Sequence, residues 1–267
     1  SASNKVQPRV PQVIATEETI KILEACRKKP NALICQYNRP FSIGRLKMEL
    51  LPSGCVLGGA SLYVETDKGR LLYAPQLQPH RIPTVRQMQL KRANTLVVGV
   101  SHPDPTTAMP NRKREKERLL EAAQKLVKGG EFPVILCEAV ATAQELTHLF
   151  CEHGLPVAVH DSIFKVNNVY ENYGSKLGPY TRYSKHTREK IMIYPLQRGR
   201  PVVLRSPLPE GPVIYVEGAI DTAAPPPGAF RNVHERFHIA STCDGPEIKE
   251  IIAAVAPGSY SLSSASY

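Results

Sequence analysis

Apolar and polar positions change their period along this chain, and the changes mark out the elements. Residues 13–29, VIATEETIKILEACRKK, read as a short apolar strand followed by a helix. Thr16 is its predicted N-cap, and its apolar face is Ile20, Leu23 and Cys26, stopped before Pro30. Phe41 to Leu51 and Ala60 to Tyr73 alternate with a period of two and predict strands, the second broken by the turn Asp67-Lys68-Gly69. From Thr95 the style differs. TLVVGVS is a buried strand, SHPDPTTAMP a proline-rich loop, and Asn111 to Lys128 a charged amphipathic helix. That helix gathers Leu119, Leu120, Ala123 and Leu126 on one face and ends at Gly129-Gly130. FPVILCEA, TAQELTHLFCEHG and LPVAVH then run strand, helix, strand, a rhythm that predicts a parallel sheet. The tyrosine-rich stretch 161–190 predicts a helix and a long loop, after which IMIYPL, PVVL and GPVIYVEGAI return to strands. Pro225-Pro226-Pro227-Gly228 reads as a linker. EIKEIIAAVAP predicts a helix with Ile248, Ile251, Ile252 and Val255 inward, followed by a Ser-rich strand.

A length of 267 residues allows one or two domains, and no apolar stretch is long enough to span a bilayer. The formal net charge of +10 favours a polyanionic partner such as RNA or a ribonucleoprotein. Its basic residues gather at Arg27 to Lys29, at 112–118, and at Arg198, Arg200 and Arg205. Aromatic residues make up only 6% and Trp is absent, so base-stacking platforms are not prominent. Six cysteines without a CxxC pair speak against a zinc ribbon or a redox dithiol and predict buried free thiols in a reducing compartment.

In order along the chain, several segments resemble motifs of one nuclease family. ATEETIKIL is similar to its T-xx-T-xx-L helix, LPSGCVLGGASLYVE to its L-P-A-G-H-x-x-G-S-A loop and strand, and GRLLYAPQL to its R-x-x-Y-T-G-D strand. ANTLVVGVSHPDP resembles the strand and E-S-T-Y-G loop that follow. FHIASTCDGPEIKEIIAAVAPGSYSLSSA resembles the closing S-x-H-x-D loop, helix and V-H-G strand. The family is the β-CASP branch of the metallo-β-lactamase fold. The resemblance implies an α/β protein: a metallo-β-lactamase-like αββα sandwich, N-terminally truncated, built from residues 1–105 and 236–267. A β-CASP-like α/β cassette over 106–235 would be inserted in it.

The family's chemistry uses two divalent cations held by histidines and carboxylates. At the matching positions this chain has Cys55, Gln76, Gly99, Thr242 and Ser264, and of the last motif only Asp244 remains. The His-x-His-x-Asp-His signature belongs upstream of Val13, where residues 1–12 contain neither His nor Asp. The resemblance therefore implies a pseudoenzyme with no cofactor, no catalytic residue and no metal. It is expected to act as a structural, obligate subunit of an RNA-containing assembly, an organellar ribosome or an RNA-processing complex, with a mitochondrial or nuclear setting and no membrane partner. Arg112, Lys113, Arg114, Lys116 and Arg118 are the candidate RNA contacts, weighed against a merely solvated helix face. Tyr170, Tyr173, Tyr180 and Tyr183 are the candidate partner surface. The alternatives are a hydrolase with a remodelled site made from Cys55, Cys243, Asp244 and His238, and a standalone RNA-binding module. His234 and His238 in HERFH have the zincin spacing, but their apolar, strand-like surroundings argue against a helix.

Overall fold

The computed structural model describes residues 12–100, 109–196, 211–218 and 233–264. They form a mixed α/β protein that divides into two compact units: Pro110–Ala240, and the flanking residues up to Met109 together with those from Ser241.

The flanking unit begins with a strand–helix–strand. Strands β1 (Val13–Ala15) and β2 (Ala32–Ile34) pair in parallel, joined by α1 (Glu17–Ala25). Thr16 caps α1 by accepting from the Thr19 amide at 3.2 Å. Ile20 and Ile22 are buried, whereas Cys26, expected inward, is the exposed C-cap, because the helix ends one residue earlier.

A six-stranded mixed sheet follows in the order β14-β7-β6-β5-β4-β3. Its strands are β3 (Phe41–Ile43), β4 (Leu46–Pro52), β5 (Ala60–Thr66), β6 (Gly69–Ala74), β7 (Thr95–Val100) and β14 (Ser259–Ser264). The expected strand Phe41 to Leu51 is a hairpin, because Gly44 adopts φ +59 and the chain reverses between the paired Ile43 and Leu46. The four strands β3 to β6 are antiparallel neighbours, while β6, β7 and β14 run parallel. One sheet face carries Leu51, Leu72, Ala74, Leu96, Val98 and Val100, and packs on Ile248, Ile251 and Val255 of α5 (Gly245–Val255). Covering one wholly buried Leu in such a layer contributes about 1.5–3 kcal/mol. Among the described residues, no second large sheet faces this one, and β1–β2 is the only other sheet of the unit.

The Pro110–Ala240 unit holds a fully parallel sheet, ordered β10-β9-β11-β8-β12-β13. Its strands are β8 (Val134–Cys137), β9 (Val157–Val159), β10 (Tyr180–Arg182), β11 (Ile191–Pro195), β12 (Val213–Glu217) and β13 (Val233–His238). The helices are α2 (Arg112–Lys128), α3 (Thr142–Glu152) and α4 (Asp161–Asn172). β8, β9 and β11 are buried at every position, as parallel strands covered on both faces must be. Leu119 and Ala123 of α2 and Leu146 and Phe150 of α3 pack with Ile135, Ile193 and Val216. The stretch 161–190, expected as a helix and loop, also contributes the edge strand β10. PVVL at 201–204 and the Pro225–Gly228 linker lie outside the described residues, as does most of SHPDPTTAMP. No described helix is long and apolar enough to cross a membrane.

Candidate functional site

Four short segments of the flanking unit meet at the carboxyl ends of β4, β6 and β7. The loop after β4 is held by Ser53, whose amide donates to the Gly59 carbonyl at 3.0 Å. It is also fixed from α1, because the hydroxyls of Thr16 and Thr19 both donate to the Gly58 carbonyl, at 2.8 and 2.7 Å. Gly58 has φ +77, and a Cβ there would run into Thr19, so the T-xx-T pair and this glycine are one device. The segment after β6 joins this loop through the Gln78 amide and the Ser53 carbonyl, 3.0 Å apart. It joins the turn before α5 through the Cys243 amide and the Leu77 carbonyl, 2.7 Å apart. Cys55, Gln76, Gly99 and Thr242 thus come to one end of the sheet. Ser264 is in register with Val100 at the same end of the neighbouring strand.

The groups gathered there do not make a metal centre. The buried Cys55 thiol donates to the Ser53 carbonyl at 3.7 Å. A Cβ built on Gly99 would collide with the backbone carbonyl of Pro75, so main chain fills the place a ligand's side chain would need. Burial, then the nearby Glu247 and Asp244, push the Cys243 thiol up to about 12, which keeps it protonated and a poor ligand at neutral pH. One oxygen of Asp244 caps α5, accepting from the Glu247 amide at 3.0 Å, and the other accepts from the Met109 amide at 3.1 Å. The Glu247 carboxylate returns a bond from the Asp244 amide at 2.9 Å, completing the capping box of α5, and its other oxygen meets His80. His238, which the remodelled-site reading needs, lies on β13 in the Pro110–Ala240 unit. Its backbone amide donates to Glu115 at 3.0 Å, and burial lowers its imidazole pKa. Among the described residues no three His, Cys, Asp or Glu side chains gather as a metal site would require. A dinuclear zinc centre does not fit these positions.

Helix α2 places its cations unequally. Arg112 is turned inward, 5% exposed, and chelates Glu145 of α3 while its Nε donates to the Ala240 carbonyl at 2.8 Å. Its selection as an RNA contact is therefore corrected: the guanidinium is spent inside the unit. Lys116 joins the same carboxylate at 3.3 Å. Burial alone would raise the Glu145 carboxyl, but Arg112 and Lys116 outweigh it and hold the group below the usual carboxylate range. Arg118 pairs with Glu115 and lies 5.4 Å from the Phe237 ring centroid. Lys113, 85% exposed, is 3.9 Å from Glu117, and Arg114 is exposed.

The tyrosines do not share a surface either. Tyr170 is fully buried, which removes it as a partner contact. Tyr173, Tyr180 and Tyr183 are half-buried. The Tyr180 hydroxyl donates to Glu171 at 2.9 Å, and Tyr183 packs against the core group containing Tyr194. HERFH is strand β13, as its apolar surroundings predict.

A further basic stretch has its cations dispersed rather than in a run. Residues 75–94, between β6 and β7, contain no Asp or Glu and carry His80, Arg81, Arg86, Lys91 and Arg92. A connection of that length without secondary structure is unusual in a compact domain and is commonly functional. The missing signal was the absence of acids over a long window, which counting cation clusters does not detect.

No family model matches the chain. Its fold is similar to that of a crystallised protein of unknown function from Enterococcus faecalis, with a TM-score of 0.64 and 11% identity, covering 95% of this chain and 70% of that one. Among curated proteins it is 22% identical over 143 residues to an RNase J-like protein of Methanocaldococcus jannaschii, covering 50% of this chain and 34% of the relative. It is 23% identical over 213 residues to a probable DNA ligase of Opitutus terrae, covering 78% of this chain and 20% of that protein. The chain thus spans about a third or less of these curated relatives.

Proposed function

We propose that this protein is a metallo-β-lactamase/β-CASP-like scaffold that works without a metal centre, as a structural, RNA-proximal subunit of an RNA-containing assembly. The supporting observation is the end of the mixed sheet, where a buried thiol, an amide, a hydroxyl and a backbone-filled glycine stand at positions that would have to supply imidazole and carboxylate ligands. The distant likeness to an RNase J-like protein and the charge of +10 support the RNA setting.

The test is metal analysis of the purified chain, together with incubation of end-labelled RNA with and without EDTA. The expected result is substoichiometric zinc and intact RNA. Stoichiometric zinc with EDTA-sensitive cleavage would overturn the reading in favour of a hydrolase with a remodelled site.

A further inference from the structure

The connection 75–94 is a strap that runs from the carboxyl end of β6 back along the mixed sheet to the start of the parallel strand β7, with Leu77, Met88, Leu90 and Ala93 packed in the core on the sheet face. Leu77, Ile82, Thr84 and Ala93 are buried and act as its anchors. Its main chain is bonded at both ends and in the middle: Gln78 to Ser53 at 3.0 Å, Gln89 to Pro52 at 3.0 Å, Ala93 to Val255 at 3.3 Å and Asn94 to Arg70 at 2.9 Å. Between the anchors it projects cations. Lys91 is neutralised, since its ammonium lies 2.6 Å from Glu49 and 5.3 Å from the Tyr63 ring centroid. Arg81, Arg86 and Arg92 are exposed and make no ion pair with any described carboxylate. Arg86 lies 5.7 Å from the ring centroid of Tyr37, whose hydroxyl donates to the Gly59 carbonyl at 2.8 Å. The ring therefore holds this guanidinium beside the loop that carries Cys55.

We infer that the strap binds the phosphodiester backbone of single-stranded RNA through Arg81, Arg86 and Arg92. This rests on the proposed RNA-proximal role and names the surface that serves it. Three features select the partner. The strap has no acid of its own, and the two carboxylates that reach it, Glu49 and Glu247, are mostly buried and already paired with Lys91 and His80, so an incoming polyanion meets little repulsion along it. It is pinned by its own hydrogen bonds, so binding does not have to order it first. Its exposed positions are all polar or proline. A stable protein interface needs a desolvated apolar centre, and a membrane-inserting loop needs apolar side chains at its tip; the strap offers neither. What it offers is arginine forks with the amides of Gln87 and Gln89 between them, which suits phosphate oxygens and nucleotide edges.

The experiment uses the full chain and a fluorescent oligouridylate of about 20 nucleotides, longer than the roughly 4–16 that one module covers. Anisotropy is recorded against salt for wild type, for Arg81→Gln/Arg86→Gln/Arg92→Gln, and for Lys113→Gln/Arg114→Gln. The strap variant is expected to bind at least about tenfold more weakly. Its log–log salt slope should be shallower by about 2, since each lost single-strand phosphate contact removes about 0.7. The α2 variant should lose less than about threefold, because Lys113 faces a carboxylate already. Circular dichroism and urea midpoints should match for all three proteins, as exposed cations carry little of the fold. Equal RNA affinity and slope in wild type and strap variant would overturn the inference. So would strap-dependent binding to phosphatidylcholine/phosphatidylserine vesicles, or displacement of the RNA by polyglutamate of equal charge. These readouts are separate from zinc content and cleavage: the strap can fail while the scaffold reading stands, and the strap can bind RNA in a protein that proves to be a hydrolase.

Discussion

Helix α2 and the 75–94 strap are both basic, and they use their cations in opposite ways. In α2, acids at three- and four-residue spacing and Glu145 from α3 draw in Arg112, Lys113, Lys116 and Arg118. The strap has fewer cations and no acid of its own, and among the described residues only Glu49 and Glu247 form ion pairs with it from elsewhere. The denser charge in the sequence is therefore the more compensated one in the fold. Free charge depends on which carboxylates the backbone brings near, and a patch is better found by where acids are missing than by where bases are frequent.

The contrast breaks most visibly at Arg112. If it is a structural cation, Arg112→Ala leaves Glu145 buried and unpaired and should cost about 3–5 kcal/mol in urea unfolding. Arg112→Met with Glu145→Leu should recover most of that, and oligouridylate binding should be intact in the double variant. Loss of RNA affinity there, with stability preserved, would return Arg112 to the interface. On the strap side, Gly99→Asp restores an acidic residue at the position the resemblance assigns to a ligand. It should instead push against Pro75 at the root of the strap, costing about 1–3 kcal/mol as overpacking does. A thermal melt with a zinc titration checks this; zinc-dependent stabilisation of the variant would show that the site can be rebuilt.

The smallest effect is on pH. The folded Glu145 pKa lies below its unfolded value, so the stability it contributes is complete above about pH 4.3 and is lost as pH falls through the folded value. His238 has its folded pKa lowered by burial, so its contribution starts to fade earlier, as pH drops below about 6.5. Urea midpoints across this range should show a shallow decline and then a steeper acid limb, and the Arg112→Met/Glu145→Leu variant should flatten only the second.

Several elements were legible because local chemistry decided them. Asn111 and Gly129 cap α2 where the amphipathic period begins and ends, and Asp67-Lys68 turns β5 into β6. The order β10-β9-β11-β8-β12-β13 was not legible: its central strands are buried on both faces, so no alternation distinguishes one from another. The β3–β4 turn was missed because Gly44-Arg45 lacks the usual Asn-Gly or Asp-Gly signature. At the site, the resemblance picked out positions that the structure brings to one sheet end, but which side chains remain outside was not readable. Arg112 finds Glu145 on another helix, and Tyr170 lies on the inward stripe of α4; both depend on packing between elements distant in sequence.

The Arg112–Ala240 bond has a kinetic meaning as well. It ties the first turn of the Pro110–Ala240 unit to its last residue, so folding of that unit brings its two ends together. On a ribosome, α5 and β14 emerge after the whole insertion, and the mixed sheet lacks its outermost parallel strand until then. Bridging an unfolded stretch of that length costs about 4 kcal/mol in chain entropy, from (3/2)RT ln n. A folded insertion with joined ends removes much of that search. Joining the two ends of the parallel α/β unit is therefore expected to speed closure of the mixed sheet, and Arg112→Ala should delay protease resistance of β14 during synthesis.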